Sequence, residues 1–454
     1  MISAGAATAA NTAETDGEKM EAAPVDPLMA SSVPDADVRA RALSKVAWRF
    51  LPILTIAYIF NYLDRTSVGF AALTMNRDLG LTAYEFGWGA GLLFASYSIL
   101  EVPSNLILYR FGARRWIARI MITWGLAAAA NAFVVGPHSF YVVRLVLGAA
   151  EAGFFPGITF FLAAWFPARY RARVLAWFLV AIPVSSVLGG PISGLLLQMD
   201  GLSGLAGWQW MFIVEGLPAC IVGCFILWLL SDRPEDVAWL SAEERAAMVA
   251  MLAEEQDGRA RLSVWSAVKD VRVLILTGIQ FGYTLGSYGI GIWLPQILKT
   301  HGLSNLAIGF VSAVPYVFAS VAMLVWAAYV DRFGRKMLNL TLGFLLATVG
   351  FVLSVGWTDL APALIGLTIA LVGVTSARAI FWTVPTSFLS GRGAAGGLAF
   401  ISTIGSLGGF AGPFMVGWIR QETGSFILGL LAMAAVLAVT TALSAGLRLV
   451  VGRD

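Results

Sequence analysis

Apolar residues in this chain come in long runs, and the stretches between them hold most of the charge, with glycine and proline at their edges. A bilayer's hydrocarbon core takes about 20 mostly apolar residues of helix to cross. Runs of that kind lie near 50–71, 85–108, 116–135, 139–162, 173–198 and 208–230, then 272–298, 306–329, 337–356, 360–384, 393–419 and 424–447. They predict an all-α membrane protein of twelve transmembrane helices. Between the sixth and seventh runs, 231–271 is charged and carries Glu243, Glu244, Arg245, Glu254, Glu255 and Asp257 in a helical pattern. It reads as a linker between two six-helix halves, 48–230 and 272–447, flanked by tails 1–47 and 448–454.

An internal repeat supports that division. Arg110-Phe111-Gly112 recurs 222 residues later as Arg332-Phe333-Gly334, and the same offset carries Gly190-Pro191 onto Gly412-Pro413. Duplicated halves are a known transporter construction. Basic residues then set orientation. One set of short connections holds Arg110, Arg114, Arg115, Arg119, Arg169, Arg171, Arg173, Arg332, Arg335, Lys336 and Arg392, whereas the alternate set has Arg77, Lys299 and Arg420. The first set belongs in the cytoplasm, with both termini and the linker, for a chain in the inner membrane.

Composition agrees: 58% of the 454 residues are apolar and 13% charged, with a mean hydropathy of +0.79. A soluble enzyme is excluded. The formal charge of +3 says little, because the positions of the charges matter more. Residues 1–47, with Glu14, Asp16, Glu18, Glu21, Asp26, Asp35 and Asp37 among Pro and Ser, are expected to be disordered. They have no apolar core behind a basic start, so the first span acts as an internal signal. Cys220 and Cys224 stand at helical spacing in one apolar run and read as packing residues. His138 and His301 stand alone in loops, so no metal or cofactor is expected, and no nucleic-acid partner.

The candidate chemistry lies in charges that should not be in lipid. Arg65, Arg144 and Arg378 fall inside predicted spans, as do Asp64, Glu101, Glu151 and Glu215. Each buried arginine costs at least ~2.5–3.5 kcal/mol at mid-bilayer, so it must face protein or water and find partners. Asp64 and Arg65 are adjacent in Asn61-Tyr62-Leu63-Asp64-Arg65. Arg144 precedes Glu151 by two turns, which puts both on one helix face. These four residues are expected to converge, either as a transport site or as a buried ion-pair network. With no histidine in a span, proton coupling would fall to carboxylates, whose proton affinity responds to burial and to nearby arginine. Glu101 and Glu215 read as structural hydrogen-bonding groups, and Arg378 as either a substrate contact or an anchor between halves. Tyr62, Tyr97, Tyr283, Tyr288 and Trp382 could line a cavity or serve as packing and interface anchors.

At these residues, across 48–447, the chain resembles the major facilitator superfamily, and more narrowly its anion:cation symporter group. The superfamily's loop signature looks preserved as Asp331-Arg332-Phe333-Gly334-Arg335-Lys336, with Ala327 replacing its leading Gly. In the first half only Arg110-Phe111-Gly112-Ala113-Arg114-Arg115 is similar, with Tyr109 at the acidic position and Asn105 at the glycine. The narrower resemblance rests on Asn61 through Arg65, Arg144 through Gly148, Glu151-Ala152-Gly153-Phe154-Phe155-Pro156, Trp165-Phe166-Pro167, Asp232-Arg233-Pro234-Glu235, and Phe381-Trp382 with Pro385-Thr386.

The resemblance implies the twelve-helix major facilitator fold and proton-coupled symport of a small organic anion, a carboxylate, by a monomer. Asp64 and Glu151 would couple protons, while Arg65 and Arg144 would handle the anion and its charge network. Gln280, Trp382 and Ser402 would contribute substrate contacts from the second half, beside the candidate tyrosines Tyr62, Tyr97 and Tyr283. Asp331, Arg332, Arg335, Arg114 and Arg115 would form the cytoplasmic gating latch. Relatives commonly have Asn where this chain has Ser402, which points to a less hydroxylated substrate. Uniport or exchange without proton coupling is the alternative, with Asp64 and Glu151 as fixed structural partners.

Overall fold

The computed structural model describes residues 36–253, 269–357, 359–385 and 391–451. Among them, twelve helices are long and apolar enough to cross a membrane. Spans 1 to 6 are Asp37–Leu79, Ala83–Phe111, Ala113–Phe133, Pro137–Trp165, Arg169–Met199 and Gly207–Leu229. Spans 7 to 12 are Val271–Lys299, Asn305–Phe333, Lys336–Leu353, Leu360–Phe381, Gly396–Thr423 and Phe426–Val450. The predicted architecture is therefore present.

The N-terminal expectation needs correction. The first helix begins at Ala36, so the described part of the tail is helical; residues 1–35 lie outside the described residues, as do 452–454. The reason is a helical apolar stripe: Ala42, Leu43, Val46 and Phe50 are buried, while charged side chains alternate with them. Their packing partner is the linker, whose helix Ala242–Ala253 buries Ala247, Met248 and Met251. Lys45 Nζ meets Glu244 Oε1 at 2.6 Å, and the Arg49 guanidinium lies 4.8 Å from the Trp239 ring centre. Linker residues 254–268, with Glu254, Glu255 and Asp257, lie outside the described residues.

Local chemistry sets the ends of the spans. Thr82 and Glu85 form a reciprocal capping box at the start of span 2, and Ser304 accepts from Ala307 N–H at the start of span 8. The repeated Arg-Phe-Gly tripeptide has a geometric reason. Gly112 and Gly334 end spans 2 and 8 at φ +88° and +71°, where a side chain would be strained.

The halves meet along glycine seams. A Cβ on Gly309 of span 8 would come within 2.6 Å of the Gly190 carbonyl oxygen in span 5, and one on Gly87 of span 2 within 2.6 Å of the Pro413 carbonyl oxygen in span 11. Gly87 and Gly309 are related by the same 222-residue offset as Gly190 and Gly412, so the two seams are repeats of one contact. Gly69 of span 1 packs equally close on Ile292 of span 7. All these contacts fall late in spans 1, 5, 7 and 11 and early in spans 2 and 8. These close contacts between the halves lie toward the end away from the termini.

Candidate functional site

Glu151 sits where span 4 breaks. Helix Pro137–Glu151 ends there, and a second helix, Phe154–Trp165, continues the crossing. Gly153 makes the break at φ +87°, and a Cβ on it would also collide with Ser104. Freed carbonyls find donors: Ser104 Oγ donates to Ala152 O at 2.6 Å, and Arg119 Nη1 reaches Ala150 O at 3.5 Å. Irregular backbone at membrane depth is tolerated where protein satisfies it in this way.

Span 1 supplies the partners. Asn61 and Arg65 are one turn apart on the same face, and both donate to Glu151 Oε1, Arg65 from Nε at 2.6 Å. Glu151 is fully buried, and the Arg65 side chain is 13% exposed. Arg65 Nη1 donates to the Tyr288 hydroxyl at 3.1 Å, and its guanidinium lies 4.9 Å from the Tyr97 ring centre and 5.9 Å from that of Phe94. Its other Nη is neither bonded nor sealed from solvent.

Asp64 points elsewhere, because adjacent helical residues are about 100° apart. It is buried and accepts from Trp124 Nε1 of span 3 at 3.1 Å. Arg144 is fully buried, with all three guanidinium nitrogens lacking a hydrogen-bond partner. Asp64 and Glu151 are the acids that act on it electrostatically. The four predicted charges therefore share one cluster, in which Glu151 binds Arg65 of span 1 and not Arg144 on its own helix. Arg144, expected to meet substrate, is sealed away in this conformation.

The second half contributes Arg378, whose Nη1 donates to the Tyr62 hydroxyl at 3.2 Å. Gln280 is buried against Gly405; its Nε2 reaches Ser402 O at 3.5 Å, and its Oε1 has no partner. Ser402 and Thr403 donate to the two Glu101 oxygens at 3.3 and 3.1 Å. Glu101 is thus a polar tie between halves, and the Ser402 hydroxyl is engaged with it. Tyr283 is buried among Phe344 and Phe381. Trp382 is half-buried, edge-on to Phe381 at 5.4 Å. Glu215 accepts from Ser193 Oγ at 2.9 Å.

At the terminal end, Arg114, Arg115, Asp331, Arg332 and Arg335 are all exposed. Among the described residues, Asp331, Arg332 and Arg335 form no ion pair within 4.0 Å, so the expected latch is not engaged in this conformation. Arg114 donates from its backbone N–H to Asp232 Oδ1 at 2.9 Å and from Nε to Leu227 O at 2.6 Å. The Asp232 carboxylate, after span 6, lies against Gly112.

Sequence reasoning gave Trp124 and Asp232 no role in the site and left Tyr288 between cavity lining and packing. Trp124 has a signal in its sequence, an indole N–H in the middle of the Ala-rich third span, where a buried donor needs an acceptor. Tyr288 and Asp232 depend on tertiary placement.

Two six-span halves meeting around buried arginines and carboxylates define a membrane transporter. The model described as Major Facilitator Superfamily matches residues 54–413, and the chain belongs to that superfamily. It is 50% identical over 410 residues to a putative tartrate transporter of Agrobacterium vitis, covering 90% of this chain and 91% of the relative. It is 39% identical to a quinolone resistance transporter of Acinetobacter baumannii, over 88% and 93% of the two chains. In fold it is similar to a bacterial homologue of the human lysosomal transporter Spinster, solved inward-facing and occupied, with a TM-score of 0.74 at 16% identity over 87% of this chain and 96% of that one.

Proposed function

We propose that the chain carries a small organic anion, a carboxylate, into the cell by alternating access, driven by protons that enter with it. The observation that carries this proposal is the Arg65–Glu151 pair. Arg65 is partly open toward the seam between halves, and its guanidinium is the kind of forked donor that holds a carboxylate. In the absence of substrate its counter-ion is Glu151. A proton on Glu151 removes that counter-charge and leaves Arg65 to the incoming anion, so anion and proton bind together. Asp64, beside Arg144 and Trp124, is the second proton-coupling acid, and Arg144 balances the two acids from behind. The named relationship to putative tartrate transporters supports a carboxylate substrate.

The glycine seams close the end away from the termini. We place that end outside the inner membrane, with both termini and the linker in the cytoplasm, as the arginine-rich terminal connections support. The five exposed latch residues engage when the terminal end closes in turn. The protein works as a monomer.

The test is proton movement in liposomes holding the purified protein and a trapped pH-sensitive dye. Adding a transported carboxylate outside, with no imposed gradient, acidifies the interior if protons accompany the anion. Counterflow of labelled carboxylate without acidification would instead identify an exchanger or uniporter.

A further inference from the structure

Among the described residues, Arg378 differs from Arg65 and Arg144 in having no acid to balance it. Arg65 has Glu151, and Arg144 lies in the field of Asp64 and Glu151. Arg378 of span 10 has no carboxylate within 4.0 Å among the described residues. Its neighbours are tyrosines: it donates to Tyr62 OH, lies 5.9 Å from that ring's centre, and acts electrostatically with Tyr58, Tyr62, Tyr283 and Tyr288. A tyrosine hydroxyl satisfies a hydrogen bond and leaves the charge uncompensated. An unbalanced guanidinium at membrane depth is expensive, so it is expected where it has an anion to meet.

Its setting suits that role. Arg378 is half-buried, and its Nε and second Nη are neither bonded nor sealed from solvent. Tyr288 takes a hydrogen bond from Arg65 and is within electrostatic reach of Arg378, and Tyr62 lies three residues before Arg65 on the same helix. One guanidinium from each half therefore opens onto one tyrosine-lined stretch of the seam.

We propose that Arg378 is a specificity-determining residue that binds a second carboxylate, so that the transported anion is a dicarboxylate held between Arg65 and Arg378. The proposal rests on the organic-anion function above and adds the second charge. A ligand bridging the two halves favours the conformations in which they approach, so the same contact links binding to closure.

The test uses matched anions that differ by one carboxylate: tartrate with threonate, and phthalate with benzoate. Affinity is measured by thermal shift and by inhibition of uptake for wild type, Arg378→Gln and Arg378→Lys. Loss of a charge-assisted bidentate contact corresponds to roughly 10- to 100-fold in affinity. Wild type is expected to prefer the dianion of at least one pair by that factor. Arg378→Gln should lose the preference by weakening the dianion while leaving the monoanion within about twofold, and Arg378→Lys should restore part of it. Equal binding of both members of each pair by wild type would overturn the dicarboxylate assignment and leave monocarboxylate transport standing. So would an equal loss for both members in Arg378→Gln, because a purely structural anchor acts that way. If neither dianion binds to wild type, the dicarboxylate assignment is overturned, while the organic-anion function stands or falls on the acidification assay above. If neither variant folds, the wild-type comparison still tests the dicarboxylate assignment, and equal binding within both pairs overturns it.

Discussion

Arg65 Nε donates to Glu151 Oε1 across 2.6 Å, joining the first span to the break in the fourth. Arg65 makes this contact and the Tyr288 contact from different nitrogens of one rigid plane. Lysine has the charge without the fork. Arg65→Lys is therefore expected to weaken carboxylate binding at least tenfold while the protein stays folded, as checked by thermal-shift titration. Unchanged affinity would remove Arg65 from the binding site.

The glycine seam between spans 5 and 8 has no room for a side chain, since a Cβ on Gly309 meets backbone and not a flexible tip. Gly309→Val should prevent closure of the end away from the termini. Uptake is expected to fall to background while the solubilised protein still binds substrate. Normal uptake would show that this contact is dispensable.

Gly153 combines a positive φ with a Cβ position occupied by Ser104. Backbone strain of this kind is worth roughly 1–3 kcal/mol. Gly153→Ala should lower the melting midpoint clearly, whereas Gly136→Ala, at an extended and open position, should not. Equal midpoints for the two variants would argue against the break as a built feature.

Lys45 holds the Glu244 carboxyl below the usual carboxylate range, first by its direct hydrogen bond, with the Ser241 N–H adding to the effect. A depressed carboxylate stabilises docking above its unfolded-state value, and that contribution is lost as pH falls through the folded-state value. The linker helix Ala242–Ala253 should therefore stay protected from hydrogen exchange at pH 7 and loosen below about pH 4. In Lys45→Met the loosening should begin at higher pH. Identical profiles would show that the ion pair does not hold the helix.

Much of this was legible in the chain. The spans follow from hydrophobic runs, and the halves from one offset that the structure extends to Gly87 and Gly309. Asp64, Arg65, Arg144 and Glu151 were conspicuous because charge in lipid needs a partner. Which partner each takes was not legible. Helical spacing put Arg144 and Glu151 on one face, but the backbone break after Glu151 and the inward face of Asn61 and Arg65 decided the pairing. Those are tertiary facts. Ser402, expected at the substrate, is engaged by Glu101, because span 11 packs on span 2. The helical start at Ala36 was obscured by the acidic, proline-rich stretch before it, although the stripe of Ala42, Val46 and Phe50 carried the signal.

Accumulation driven by an imposed proton gradient tests the coupling role of Glu151 most directly. Liposomes with wild-type protein, an alkaline interior and an acidic exterior should concentrate labelled tartrate, or whichever carboxylate the binding assays select, above its external level. Glu151→Gln should bind and exchange the same anion yet only equilibrate it. Gradient-driven accumulation by Glu151→Gln at the wild-type level would contradict proton coupling through this residue.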